Sequence, residues 1–411
     1  MTDASVTADR RGLGLSAAIT LVLCFCTTII EGIDLQSMGI AAPKLGPEFH
    51  LGPDQLKWVL LASPLGLFFG AFIGGRISDS WGRKGALIAA MVVFGVFQLS
   101  TVWAPSYETL IAIRFLCGLG LGGALPNLIA LVAEASGGRN SMLNVVIMAA
   151  GMPTGGAIAS YIAFTGGEAG DWRTVFYVGG VAPLLLAPVM ALVLPESKLF
   201  QAARAAAGEA GAKVNSLAVL FGGGRAAATL LLWIGFLFTT LVTYLLLNWL
   251  PALMIKKGFT RTEASFIQIF FNVGSAVGSI FLGWLMQRRP SRTILFICYA
   301  GVAVSLLGLM FLGKDMVLAE VGEAVVGAFL LGAQYILYGL TPMFYRTAYR
   351  GTGAGAAVAA GRLGSAAGPY LGGVLLGAGQ GAGQVLQSLL PVTAVAAAAA
   401  MLLMFCKRAQ D

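Results

Sequence analysis

Gly75-Arg76-Ile77-Ser78-Asp79-Ser80-Trp81-Gly82-Arg83-Lys84 is a short, basic, glycine-started turn between two long apolar runs. A turn of the same kind, Gly283-Trp284-Leu285-Met286-Gln287-Arg288-Arg289-Pro290-Ser291-Arg292, holds the matching place in the second half of the chain. The runs beside each turn are long enough to cross a bilayer as helices, which takes roughly 20 residues. Outward from these turns, twelve such runs can be counted. Six lie near 15–41, 56–78, 85–103, 107–134, 140–164 and 173–194, and six near 229–252, 263–287, 292–312, 319–345, 352–378 and 384–406. A longer polar, alanine-rich stretch, 195–228, separates the two sets. The chain reads as an all-α membrane protein of twelve transmembrane helices in two six-helix halves, 1–194 and 229–411, joined by a linker at 195–228.

Composition agrees. Of 411 residues, 58% are hydrophobic and 11% charged, against about 25% charged in soluble domains. So little polar sequence cannot cover a soluble surface. The 56 glycines would weaken helices in water, but between membrane helices they let backbones approach closely. The net charge of +8 is scattered over short loops, without a basic patch or a nucleic-acid motif. With the N-terminus placed inside, the inner segments hold 17 Lys and Arg and the outer segments 7. That asymmetry fits the positive-inside rule and puts both termini in the cytoplasm. Arg10-Arg11 precedes an apolar run too long for a signal-peptide core and without a small-residue cleavage site, so an uncleaved first helix is expected.

Enzymatic and cofactor chemistry find little support. Cys24, Cys26, Cys117, Cys298 and Cys406 all fall within apolar runs, with no zinc spacing. The sequence contains no phosphate-binding Gly-x-x-x-x-Gly-Lys-Ser/Thr motif. Gly118-Leu119-Gly120-Leu121-Gly122-Gly123 lies inside a span with no preceding strand, which excludes a dinucleotide loop. No metal, cofactor or nucleic-acid partner is expected.

The first basic turn resembles the signature of the major facilitator superfamily, roughly G-x-L-x-D-R-x-G-R-R/K. Gly75, Asp79, Gly82, Arg83 and Lys84 match it, and Ser80 departs from it. In the second copy Gln287 replaces the acid. Glu31-Gly32-Ile33-Asp34-Leu35-Gln36-Ser37-Met38-Gly39 resembles the acid-Gly-x-Asp motif of the aromatic acid:proton symporters of that superfamily. Its Glu form followed by Leu-Gln is nearest to transporters of 3-hydroxyphenylpropionate and phenylpropionate. Arg114-Phe115-Leu116-Cys117-Gly118, Trp172-Arg173-x-x-Phe176, Leu194-Pro195-Glu196-Ser197, Asn248-Trp249-Leu250-Pro251 and Gly361-Arg362-x-Gly364 extend the resemblance along the chain. The resemblance implies a central cavity lined by spans one, four, seven and ten, and a gating role for Asp79 and Arg83.

Ionisable residues inside spans are costly, so each is a functional candidate. Glu31, Asp34, Arg114 and Arg362 are the four that stand out. Thr27, Glu31, Asp34 and Met38 step by four, three and four, and so share one helical face. Asp34 lies about 28 Å along span one and Arg114 about 10 Å into span four from the other side, at ~1.5 Å per residue. At those depths the two can pair, either as part of a mechanism or as a structural salt bridge. Arg362 contacts a substrate carboxylate or ties span eleven to a neighbour. Thr240, Tyr244 and Asn248 share a face of span seven, and Gln334 and Tyr338 a face of span ten. Gly274-x-x-x-Gly278 reads as a packing face, and His50 as a surface residue of an outer loop.

The expected function is proton-coupled import of a small aromatic carboxylate across a bacterial inner membrane, by a monomer working through alternating access. Asp34 and Glu31 carry the proton in this reading. Arg114, Arg362, Tyr244, Asn248, Gln334 and Tyr338 bind the substrate. The rival readings are a proton-coupled efflux carrier for apolar compounds and a membrane ligand sensor that moves nothing.

Overall fold

The structure, a computed structural model, describes residues 14–136, 141–197, 220–286, 288–345 and 350–407. The described residues form helices and turns and contain no strand. The first six spans are α1 (Leu15–Glu48), α2 (Pro53–Trp81), α3 (Arg83–Ser100), α4 (Tyr107–Ser136), α5 (Ser141–Ala149 with Gly151–Gly166) and α6 (Arg173–Val193). The second six are α7 (Ala226–Lys256), α8 (Arg261–Met286), α9 (Ser291–Phe311), α10 (Met316–Leu340), α11 (Arg350–Gly377) and α12 (Ala382–Leu403). Among the described residues, ten helical stretches are long and apolar enough to cross a membrane. The 29-residue α2 and 28-residue α11 complete the expected twelve. Residues 198–219 of the expected linker lie outside the described residues.

Three spans differ from their sequence reading. α1 continues past residue 41 to Glu48, through Pro43 and Pro47. Lys44 and Glu48 look like the end of an apolar span, but tertiary bonds hold them: Lys44 donates to the Gly170 carbonyl, and Glu48 pairs with Arg173. α4 is interrupted at Gly123 and α5 at Ala150. His50 is exposed just past α1, with left-handed backbone at φ 54°.

Glycine stripes set which helices touch. Gly66, Gly70 and Gly74 on α2 face the α4 backbone at Phe115, Leu119 and Gly123, while Gly118 and Gly122 of α4 face Ser63 and Leu67 in return. A Cβ at these positions would collide with main chain, so the stretch excluded above as a dinucleotide loop is a packing face. Gly364 and Gly368 seat α11 on Leu237 and Leu241 of α7 in the same way. Gly274 and Gly278 place α8 on Ala324 and Ala328 of α10, as their spacing predicts.

The two halves close on each other at the end opposite Gly82. Trp58 of α2 meets Tyr370 of α11 edge to face at 5.4 Å, and Lys57 lies 5.2 Å from the same ring. Arg261 Nη1 donates to the Gly167 carbonyl at 2.9 Å. The Glu168 carboxylate, between α5 and α6, caps the start of α8 from the other half. Its Oε1 accepts from Thr262 N at 2.8 Å and Thr262 Oγ1 at 2.9 Å. Deeper in, a buried amide cluster joins α1 to α8. Gln36 Nε2 donates to Asn272 Oδ1 at 2.6 Å, while Asn272 Nδ2 and Gln268 Nε2 donate to Gln36 Oε1 at 2.8 and 2.9 Å.

The Glu168 cap has a pH signature. The Thr262 backbone N–H holds its carboxyl below the ordinary value of 4.5; burial acts in the opposite direction, and the Thr262 hydroxyl and the Arg261 and Lys44 charges add to the lowering. A carboxylate lowered by its partners stabilises closure above its free pKa and loses that contribution as pH falls through the lowered value. Spin labels at exposed Thr165 and Thr260 should therefore separate on acidification below the usual carboxylate range. The shift should be no more than a few-fold in population, because the group is exposed. Glu168→Gln should flatten this pH response, and an unchanged response would remove Glu168 as its origin.

Candidate functional site

α1 is enclosed along its middle, and every residue from Ile30 to Ala42 is buried. The polar face expected at Thr27, Glu31 and Asp34 therefore points into protein, away from lipid. Asp34 and Arg114 are 0% and 1% exposed and form an ion pair, Arg114 Nη2 to Asp34 Oδ1 at 2.8 Å. The other Asp34 oxygen accepts from Ser63 Oγ of α2 at 3.4 Å. Arg114 Nη1 donates to Gln98 Oε1 of α3 at 2.6 Å, and its guanidinium lies 5.6 Å from the Phe176 ring of α6. The Cys117 thiol sits one turn along α4 and reaches Gln98 Oε1 at 3.4 Å. Arg114 is thus the hub of a polar cluster drawn from α1, α2, α3 and α4. One of its N–H groups, Nε, has no hydrogen-bond partner among the described residues.

Arg114 also borders a space between α1, α2, α4 and α7, with Met38, Ser63, Tyr244 and Asn248 in its walls. It measures about 10 Å³, room for about one water. Sites for small organic ligands are commonly several hundred Å³, so in this state the helices around Arg114 are closed together. Asn248 turns its amide back to the Tyr244 carbonyl at 2.9 Å.

The remaining candidates form a second group on the Gly82 side of Asp34. Glu31 is fully buried and faces Arg362 of α11, with Oε1 3.8 Å from Nη2. Neither Glu31 oxygen accepts a hydrogen bond among the described residues. Tyr244 and Tyr338 stand beside Arg362. Tyr338 packs on Phe236 at 4.9 Å, and Gln334 accepts from Thr243 Oγ1 at 3.3 Å. The structure therefore joins Asp34 to Arg114 as their depths suggest, and leaves Arg362, Gln334 and Tyr338 out of the space beside Arg114. Thr240, on the same face as Tyr244, is taken up by packing and donates to the Gly361 carbonyl at 2.8 Å.

At the Gly82 end, Arg83 forms an ion pair with Glu134 of α4. The Glu196 carboxylate caps α3, accepting from Arg83 N at 3.0 Å and Lys84 N at 3.1 Å. Asp79 lies in α2, but its side chain is outside the described residues, so its expected gating contacts are not placed.

Sequence reasoning missed Gln98, Ser63 and the Gln36–Gln268–Asn272 cluster. Neutral amides and hydroxyls in a span carry little signal. Only the arrival of Arg114 beside Gln98, or of α8 beside α1, distinguishes them from ordinary helix residues.

Residues 24–369 match the family described as the Major Facilitator Superfamily. The 3-(3-hydroxy-phenyl)propionate transporter of Escherichia coli (strain K12) is 41% identical over 390 residues, which cover 94% of this chain and 94% of that protein. The 4-hydroxybenzoate transporter PcaK of Pseudomonas putida is 35% identical over 404 residues, 92% of this chain and 90% of that one. Among solved structures, the xylose transporter XylE from E. coli, in a partially occluded inward open conformation, superposes with a TM-score of 0.76. It is 14% identical and covers 96% of this chain and 99% of its own.

Proposed function

Since the chain belongs to the Major Facilitator Superfamily, and is a multi-pass membrane transporter rather than an enzyme, we propose that it imports a small aromatic carboxylate together with protons. Phenylpropionate and hydroxyphenylpropionate are the substrate type, in keeping with the relative at 41% identity. The observation that carries this reading is Arg114, a buried guanidinium shared between Asp34 and Gln98 at the edge of a closed space.

A planar guanidinium suits a carboxylate because it offers parallel N–H donors. Ionised Asp34 occupies that fork. Protonated Asp34 gives up most of its attraction for Arg114 and leaves the fork to the substrate. Proton and substrate then favour each other's binding, and by linkage the effect is reciprocal. As the helices part, Tyr244 and Asn248 come to lie beside the bound ring, and Glu31, paired across the halves with Arg362, serves as a second acceptor for the proton.

The bias of Lys and Arg among the loops puts the Gly82 turn and both termini in the cytoplasm, so the closed end faces outward. Units 1–194 and 229–411 then rock about the central site, with Arg83–Glu134 and Asp79 gating the cytoplasmic side. The test is uptake by proteoliposomes of 3-(3-hydroxyphenyl)propionate, 4-hydroxybenzoate, cinnamate and aliphatic acids, with and without an inward proton gradient. Gradient-driven accumulation of the aromatic acids is expected. Preference for aliphatic acids, or accumulation indifferent to the gradient, overturns the reading.

A further inference from the structure

Glu323 lies in α10, seven residues from its start and so about 10 Å inside the closed end. It is 0% exposed, and neither carboxylate oxygen has a hydrogen-bond partner among the described residues. The helix is tightly packed on either side of it. Gly322 beside it faces Leu309 of α9, and Gly327, one turn on, faces the Phe271 carbonyl and Ser275 Oγ of α8. Ala319 and Val326 on the same face of α10 are fully buried.

Among the described residues, a charged group facing this site is Lys257, just past α7. Its ammonium is committed elsewhere, donating to the Leu312 carbonyl at 2.9 Å and the Met310 carbonyl at 3.3 Å at the end of α9. Burial holds Lys257 below the usual lysine range, and the Glu323 charge acts in the opposite direction. Glu263 and Lys314 face each other at 4.0 Å on the rim, and Glu320 lies on α10 itself. An ionised carboxylate without a donor in such a place costs several kcal/mol, and a buried acid escapes that cost by keeping its proton.

We propose that Glu323 is a further proton-binding site of this carrier, set in the opposite half from Asp34. It takes a proton from outer water as the outer end closes, and the O–H bond breaks, with the proton returning to outer water, when that end opens toward Lys257, so this proton controls closure and is not carried across the membrane. The site rests on the proton-coupled reading above and adds to it, because the second half then senses the outer proton concentration independently of Arg114.

The experiment uses the full chain in proteoliposomes. Infrared spectra at neutral pH should show a protonated-carboxyl C=O band that disappears in Glu323→Gln and shifts without disappearing in Glu323→Asp. Glu323→Gln should still exchange labelled 3-(3-hydroxyphenyl)propionate between two filled compartments, which reports folding. Closure of the outer end, read by spin labels at Thr165 and Thr260, should weaken as the outer pH is raised in wild type and lose that dependence in Glu323→Gln, with the proton:substrate ratio unchanged. A wild-type protein with the band but no proton coupling sinks the symport reading and retains the proton site. Identical bands in wild type and Glu323→Gln, or closure with the same pH dependence in both, overturn the proposal.

Discussion

Replacing Asp34 with asparagine is expected to abolish uphill uptake driven by a proton gradient while exchange of labelled substrate continues. The amide side chain retains an oxygen to accept from Arg114 Nη2, where the native bond is 2.8 Å, and can still meet Ser63. It carries no charge and cannot bind or release a proton, so Asp34→Asn imitates the loaded form permanently. Arg114 remains available, and substrate binding should survive. The comparison separates coupling from architecture. Breaking a buried ion pair by removing one charge can cost ~3–5 kcal/mol, and a purely structural Asp34 would fail in both assays. Counterflow and gradient-driven accumulation should be measured on the same reconstituted protein. Accumulation at the wild-type level would place the proton elsewhere, with Glu31 the next residue to replace.

Arg114→Lys should give the second large effect, a loss of affinity for aromatic acids with normal insertion in the membrane. The guanidinium reaches Gln98 from one terminal nitrogen and Asp34 from the other, and lies near the Phe176 ring. An ammonium is a single point of charge and cannot span both acceptors in that geometry. Losing one charge-assisted hydrogen bond costs about 1.5–3 kcal/mol, roughly a 10- to 150-fold increase in Kd. Binding of 3-(3-hydroxyphenyl)propionate by the purified protein is the measurement. A Kd within about two-fold of wild type, with normal uptake, would leave Arg114 as scaffold only.

Asp34 and Arg114 can both be found from sequence because the bilayer acts as a ruler. Once a span's ends are known, residue number gives depth, and the two fall in the same half of the membrane. Their pairing then follows from the cost of leaving either charge alone in that medium. Arg83 is equally visible through its turn motif, although its partner Glu134 is not. The pairing of Glu31 with Arg362 requires something depth cannot supply, the rotation of α1 and α11 toward each other across the halves.

The chain's local chemistry determined the twelve helices, their order and the charged residues that had to find partners. Each apolar run must close its own backbone hydrogen bonds inside the bilayer, so helix existence is decided run by run. The tertiary structure decided what the charges and amides meet. Gln36 bonds Gln268 and Asn272, far away in the chain, because Gly155 and Gly156 let α5 lie close against α1 beside α8. Glu323 reads in sequence as one of two acids near a helix end. Contacts of α8 and α9 at Gly327 and Gly322 bury it, and that burial depends on shapes that only the assembled bundle brings together.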